Sequence, residues 1–565
     1  MVLVALSFIY ILFTTINFGM LFNKIVKTKV TNFAVLSILG LFAVTLIATT
    51  WAIFNRINWE FQTFIALLNA VICIKHKDDV ISIYKNLYVT LQLLPRSLTW
   101  LLGLITVFIV AQCASIPYVI DNESYYLQTI KWLNEYGLVK GLGNLHPFLS
   151  QTSAWHITQS AFNYSFLYNK FNDISGFCLL LGNLFAIIKL GEYFTNGNKT
   201  YLITGLLPLA NIFLFQFISA PSPDVPVYVF SAIIFFYFID RYKNIDIEIY
   251  TILSIFVIFS LFIKTTAVAL IVIPIVLLAV NFKRLLPKLL PLITVSFIVL
   301  VLFCIKNTIV SGYPLFPVVD VQLFKLDYSI PYKVAKRYYE ETKFYGYFVS
   351  PKQYNAMTTP QLFVRWLLLP KLHGLFNKVS IVLIIAAPFI IYKYLNKKPI
   401  WILYFVMCVQ MALLFLSSPQ YRFFMNFILL FSFIIIALVA TSKKQLLPLL
   451  YSFNLLTGFV LLVPVNLNNF TKNKFVMTTS TFSFNNSVFP YKNSKLDTTF
   501  TTIMTGNLSY TTPVNSDFYW ATGDGNLPCA SEKQLKKFKR KYGVVPQLRS
   551  KNLGDGFYAA QADKE

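Results

Sequence analysis

Charge is scarce in this 565-residue sequence. Only 13% of its residues are Asp, Glu, Lys or Arg, about half the share of a soluble domain. Acids are the scarcer sign, 23 against 48 Lys and Arg, for a net charge of +25. Histidine occurs four times (76, 146, 156 and 373), too scattered to form a metal-ligand motif. Cys73, Cys113, Cys178, Cys304 and Cys408 lie in apolar runs, and Cys529 stands alone near the C-terminus. Without CxxC or Cys/His spacing, neither a disulfide framework nor a structural zinc is expected. "GLVKGLGNLHPF" has Gly141 and Gly143 flanking Leu142, which allows close backbone approach. It is not GxGxxG and follows no strand, so no nucleotide site is expected. The first apolar run, "VLVALSFIYILFTTINFGMLF", lacks a basic n-region and a small-residue cleavage site, and reads as a retained span.

What is abundant is apolar sequence. Hydrophobic residues make up 56% of the chain, in unbroken runs of about 16–22 residues, the length of a membrane-crossing helix. They do not alternate, which excludes a barrel. The expected fold is an all-α polytopic membrane protein of about fourteen transmembrane helices. The spans fall near 2–22, 33–54, 60–75, 98–117, 174–193, 201–219, 225–240, 249–263, 265–281, 289–305, 379–394, 399–416, 424–440 and 446–463.

Orientation follows from the short connections. One set carries nineteen Lys and Arg; the alternate set carries only Arg56, Lys264 and Arg422. That bias places the first set in the cytoplasm, and it accounts for the net positive charge without nucleic acid. Both termini, Asp121, Asp224, Lys264 and Arg422 are then external. So are the long segments 118–173, 306–378 and 464–565, and loops of such length are usually functional or independently folded. The organisation expected is 1–97 as N-terminal transmembrane helices, 98–463 as a transmembrane core and 464–565 as a small extracytoplasmic α/β domain. In that tail, "FVMTTSTFSF" and "TTFTTIM" look strand-like, and Ser531 followed by "EKQLKKFKRKY" looks like an N-capped basic helix. Its basic side chains read as a solvated face, or as a contact for lipid phosphates.

Four external features converge. "DNE" puts Asp121 and Glu123 directly after a span. "SAPSPDVPV" holds Asp224 in a turn stiffened by Pro221, Pro223 and Pro226. Lys264 interrupts an apolar stretch, and "SSPQYRFFMNF" places Arg422 at a span end. Taken singly, Asp121 could cap the following helix and Arg422 could snorkel to headgroups. Together, carboxylates beside cations suit a reaction on a phosphorylated lipid. Arg and Lys grip phosphate oxygens, and a carboxylate takes a proton from a hydroxyl or holds a divalent cation. "SQTSAWHITQSAFNYSFLYNKF", with Trp155, Phe162, Tyr164, Phe166 and Tyr168, suits a helix lying in the membrane interface.

This layout resembles the GT-C superfamily of integral-membrane glycosyltransferases that use polyprenyl-phosphate-linked sugars. The likeness rests on acids in the first long external loop, an Asp in the next external hairpin, and many spans before a C-terminal external domain. "KGLGNLHPFLSQTSAW" and "SGYPLFPV" are similar to a bacterial group of ArnT-like membrane proteins. Four spans precede the acidic loop here, where the superfamily usually has one.

The resemblance implies a multi-pass enzyme of a bacterial inner membrane with its active site facing the periplasm or exterior. It would transfer a sugar, with inversion, to a glycan, lipid or protein acceptor. Asp121 would be the catalytic base, with Glu123 its rival and Asp224 the second-loop acid. Lys264 and Arg422 would hold the donor phosphate, with His146, His156 and Tyr125 as further substrate contacts. Asp121 with Glu123 permits, without requiring, Mg2+ or Mn2+. A polysaccharide polymerase or ligase and a lipid-linked glycan flippase are the alternatives. The former class usually relies on arginines rather than clustered acids. The latter should show an internal repeat and short loops, and neither is visible.

Overall fold

Long apolar runs fold as helices in lipid because nothing around them can satisfy a bare backbone. The computed structural model describes residues 1–168, 171–395, 397–471, 474–514, 516 and 521–562. Among these, nine helices are long and apolar enough to cross a membrane: Val2–Ile25, Phe33–Phe54, Arg96–Cys113, Ile174–Asn196, Lys199–Phe217, Leu290–Ser311, Lys371–Leu395, Lys398–Leu416 and Lys443–Leu462. A tenth, Thr265–Val280 with Phe282–Lys288, is bent by 91°. The protein is an α-helical membrane protein. The other segments expected to span also form helices: Trp59–Lys75, Asp224–Arg241, Ile247–Ile263 and Met425–Val439. They are short or carry charges at their ends. Seventeen residues reach about 26 Å, a little less than a hydrocarbon core.

Contacts at the helix ends bear on the count. The Met1 ammonium donates to the Asn486 carbonyl (2.6 Å), and Val2 and Leu3 N–H donate to Ser487 and Val488. The chain after the last helix thus returns to the start of the first, which requires an even number of crossings. Nine is odd, so an even count needs one of the short or bent helices as well. Trp59–Lys75 connects the two ends of the bundle by its contacts. It begins where Asn58 Nδ2 donates to the Asn134 carbonyl (2.9 Å) in the first long loop. It ends where Asp79, just beyond it, pairs with Lys24 at the far end of the first helix.

The first two helices meet through glycines. A Cβ on Gly40 would sit 1.8 Å from the Thr15 carbonyl oxygen, and one on Gly19 would sit 2.0 Å from that of Leu36. Small residues permit this approach, and bilayer helices associate by such packing. Gly40→Val is therefore expected to separate the pair, read as loss of the monodisperse peak in detergent gel filtration; an unchanged profile would count against this seam.

The tail contains two antiparallel hairpins, Thr499–Thr505 with Leu508–Val514 and Val544–Leu548 with Phe557–Gln561, and the helix Glu532–Tyr542 between them. Of the two strand-like stretches, "TTFTTIM" pairs. "FVMTTSTFSF" contributes only the isolated bridge of Thr478 with Asn466. The tail shares its core with the first long loop: Trp132, Leu142 and Leu145 pack with Tyr510, Leu535 and Phe557. Gly141 and Gly556 allow this, since a Cβ on either would lie 2.2 Å or less from a carbonyl oxygen of the opposing segment.

The stretch from Ser150 to Phe171, expected to pack in the core or in the interface, is divided: Phe166 and Leu167 are exposed and the preceding helix is enclosed, while 169–170 lie outside the described residues. Its helix, Ala154–Ala161, is buried on every side, Trp155 Nε1 donates to Ser175 Oγ (3.0 Å), and Phe162 is enclosed. Aromatic residues among small polar ones pack equally well against neighbouring helices.

Candidate functional site

Four charged side chains, distant in sequence, meet on the face that carries the long loops. Arg422 Nη1 donates to Asp121 Oδ2 at 2.8 Å and lies 3.7 Å from Asp224 Oδ2. Lys264 Nζ pairs with Asp224 Oδ1. The order is Lys264, Asp224, Arg422, Asp121, two cations and two carboxylates. Asp224 is sealed at 2% exposure, whereas Asp121, Lys264 and Arg422 keep 19%, 18% and 23%. The cluster is therefore sealed at Asp224 and partly exposed at Lys264, Arg422 and Asp121.

Local structure explains each placement. Asp121 makes no side-chain capping bond to the π-helical turn Asn122–Tyr126 that follows it, so its carboxylate is free to reach Arg422. Asp224 opens the helix Asp224–Arg241, where the helix dipole favours negative charge, and Pro223 and Pro226 stiffen that start. Lys264 sits at the extended break between Ile247–Ile263 and Thr265–Ile271. Its ammonium lies 4.2 Å above the Phe423 ring, and the Arg422 guanidinium lies 5.1 Å from the same ring. Arg422 does not snorkel outward: its Nε donates to Gln420 Oε1 (3.1 Å), and its carbonyl accepts from the Tyr228 hydroxyl (2.7 Å).

Glu123, expected as the rival of Asp121 and a candidate metal-holding acid, does not join the cluster. Its carboxylate turns from the cluster into the tail, accepting from Ser494 Oγ (2.6 Å), the Lys495 N–H (2.8 Å) and Asn122 Nδ2 (3.2 Å). Burial pushes its carboxyl above the usual range against those bonds. Asp121 and Glu123 thus do not fit a shared metal ion, and among the described residues no group of three or more His, Cys, Asp or Glu could hold one. Glu123→Ala should instead loosen the tail by about 1–3 kcal/mol, the cost of buried donors left unpaired. The expected result is faster limited proteolysis within 464–565. Unchanged proteolysis together with lost activity would return Glu123 to the chemistry.

His146 and His156, expected as substrate contacts, lie beneath the cluster rather than in it. His146 is buried, and its Nδ1 accepts from the Phe148 N–H (3.0 Å). His156 is fully buried, its ring 4.6 Å from that of Tyr126. Burial pushes both down to about 3, with Lys306 adding to the shift at His156, so both are neutral near pH 7. They shape the floor under Tyr125, whose ring stacks on Phe148 at 5.4 Å. Tyr125 stays beside the cluster: burial and then Asp121 push its phenol well above the usual range.

Two parts of the site had no clear sequence signal. Gln410 Nε2 donates to the Thr266 carbonyl (2.6 Å) and the Phe423 carbonyl (3.0 Å), tying the Lys264 break to the Arg422 turn. An amide inside "LYFVMCVQMALLF" was the available hint, since polar groups in spans are costly. The other part is the helix Tyr332–Gly346, expected only as part of the long external segment 306–378. Ser418 Oγ donates to its Thr342 carbonyl (2.7 Å), and Gly346 packs against Pro419. Its Tyr345 lies near Asp121, and burial followed by that carboxylate raises its phenol. On the opposite side, Tyr228 and Asn426 border a small apolar crevice of about 20 Å3.

The arrangement can hold a phosphate at Arg422 and accept a proton at Asp121, provided Arg422 exchanges one anion for the other. A family model described as "Domain of unknown function (DUF8201)" matches residues 1–429. No curated protein and no solved structure matches the chain.

Proposed function

The chain belongs to the DUF8201 family, and we propose that this cluster transfers a sugar from a polyprenyl-phosphate donor to a glycan, lipid or protein hydroxyl. The observation that carries the reading is the single, partly exposed Arg422 guanidinium placed between Asp121 and Asp224 in a cluster bordered by tyrosines. The short helices Trp59–Lys75, Asp224–Arg241, Ile247–Ile263 and Met425–Val439, with the bent Thr265–Lys288, complete fourteen crossings in this reading. The loop face is then the periplasmic or exterior face of a bacterial inner membrane.

The lipid phosphate enters from the bilayer and takes Arg422 from Asp121. Lys264, held by Asp224, supplies the second positive charge. Asp121, released, removes the acceptor proton as the hydroxyl oxygen attacks the anomeric carbon. The bond from that carbon to the phosphate oxygen breaks on the opposite face and its electron pair leaves with the phosphate, so configuration inverts. Charge placed in advance at the leaving group is usually the largest catalytic contribution. No metal is used in any step.

The test is transfer from a radiolabelled polyprenyl-phosphate sugar in proteoliposomes containing the full chain. Label in a new glycosidic product supports the proposal. Translocation of intact donor without a new bond identifies a flippase and ends it.

A further inference from the structure

A second polar site lies away from the cluster, at the end of the first helix that carries Met1. Asp173, immediately before the helix Ile174–Asn196, is fully buried. The Ser7 hydroxyl and the Gln159 amide face its carboxylate, and Tyr164 lies against the same pair. Yet among the described residues neither Asp173 oxygen has a hydrogen-bond partner of good geometry. The same holds for Ser7 Oγ, Gln159 Nε2 and Tyr164 Oη. Gln159 Oε1 is fixed, accepting from the Ile174 N–H at 3.0 Å, so its amide is not free to turn away.

Such a group is out of keeping with a finished core. Buried polar atoms are almost always bonded, and a buried carboxylate is paired with a cation or coordinates one. No Lys or Arg among the described residues forms an ion pair with Asp173; the titratable groups that feel its charge include Tyr164 and Cys113, both ordinarily neutral at pH 7. The oxygens of Asp173, Ser7 and Tyr164 come from three separate segments. Hard cations take oxygen ligands of this mixed kind. One negative charge among neutral donors suits a single positive charge.

We propose that the oxygens of Asp173, Ser7 and Tyr164 form a binding site for a monovalent alkali cation of sodium size, which joins the first helix to the start of Ile174–Asn196, with the Gln159 amide facing the Asp173 carboxylate from outside the ligand set. The site is separate from the charged cluster and independent of the transfer reaction. Its effect is on the stability of the bundle: an ion that binds the folded state alone raises the unfolding temperature with its concentration.

The experiment uses the purified full-length protein in detergent at pH 8. Thermal unfolding is followed in choline, lithium, sodium and potassium chlorides at equal ionic strength. Sodium or lithium is expected to raise the midpoint by several degrees over choline, saturably. Asp173→Asn should lose this difference while melting in choline at or above the native value, because it buries no charge. Ser7→Ala keeps the carboxylate and should weaken 22Na+ retention at least tenfold. Should Asp173→Asn not fold, the Ser7→Ala result alone decides. Equal midpoints in all four salts with no retained 22Na+ would overturn the proposal, as would a sodium shift that survives in either variant.

Discussion

Asp121→Asn is expected to lower kcat for sugar transfer by about 10^2- to 10^4-fold, the range a general base contributes. Donor KM should hold or fall. The physical reason is the charge balance of the cluster. Asp121, Asp224, Lys264 and Arg422 sum to zero, and removing the Asp121 charge leaves a net positive site. The asparagine carbonyl still accepts from Arg422, so the geometry survives while the guanidinium is held less tightly. A lipid phosphate then competes more easily for Arg422, but nothing takes the acceptor proton. Full kcat in this variant would remove Asp121 from the chemistry. A loss of kcat with a large rise in donor KM would mean that Asp121 binds substrate instead.

Arg422→Ala is expected to cost about 10^2- to 10^3-fold in kcat/KM, the usual effect of removing one preorganised donor to developing charge, with the loss appearing in donor KM as well. The comparison with Arg422→Lys is the more informative. Lysine keeps the charge but presents a compact point charge rather than a planar fork, so it cannot hold one carboxylate and face another. It should recover the positive potential and only part of the rate. If Arg422→Lys were as active as the native protein, Arg422 would serve only as a counter-charge. If Arg422→Ala had normal donor KM, the phosphate would bind elsewhere. Expression and gel-filtration profile must be followed in both variants, because truncation leaves Asp121 unpaired and Asp224 dependent on Lys264 alone. Uncompensated charge of that kind destabilises strongly.

Much of the site could be found before any contact was known, because in a chain so poor in charge each exception carries information. Lys264 and Arg422 are two of only three basic residues in the short connections that positive-inside counting leaves on one face. Asp224 stood out between prolines. That all of them share one face is a consequence of span parity, which loop charges report directly. Where the reading failed, it failed on direction. Asp121 and Glu123 are two residues apart, a spacing that on a helical turn sends side chains to opposite sides. One carboxylate met Arg422 and the other met Ser494 and Lys495, more than 370 residues further along the chain. The burial of His146 and His156 was not legible either, because a loop rich in polar residues can fold inward once other segments cover it.

By itself, then, the sequence determined the solvent in which this protein folds, the face on which its long loops gather and the few charged residues worth following. These properties follow from run length and from charge counted loop by loop, and need no knowledge of packing. Only the tertiary structure decided which acid pairs with Arg422, which acid fastens the tail, and that Asp173 is buried beside hydroxyls with no counter-charge among the described residues. Those outcomes depend on side-chain direction and on contacts between residues hundreds of positions apart, and no local pattern in the chain encodes them.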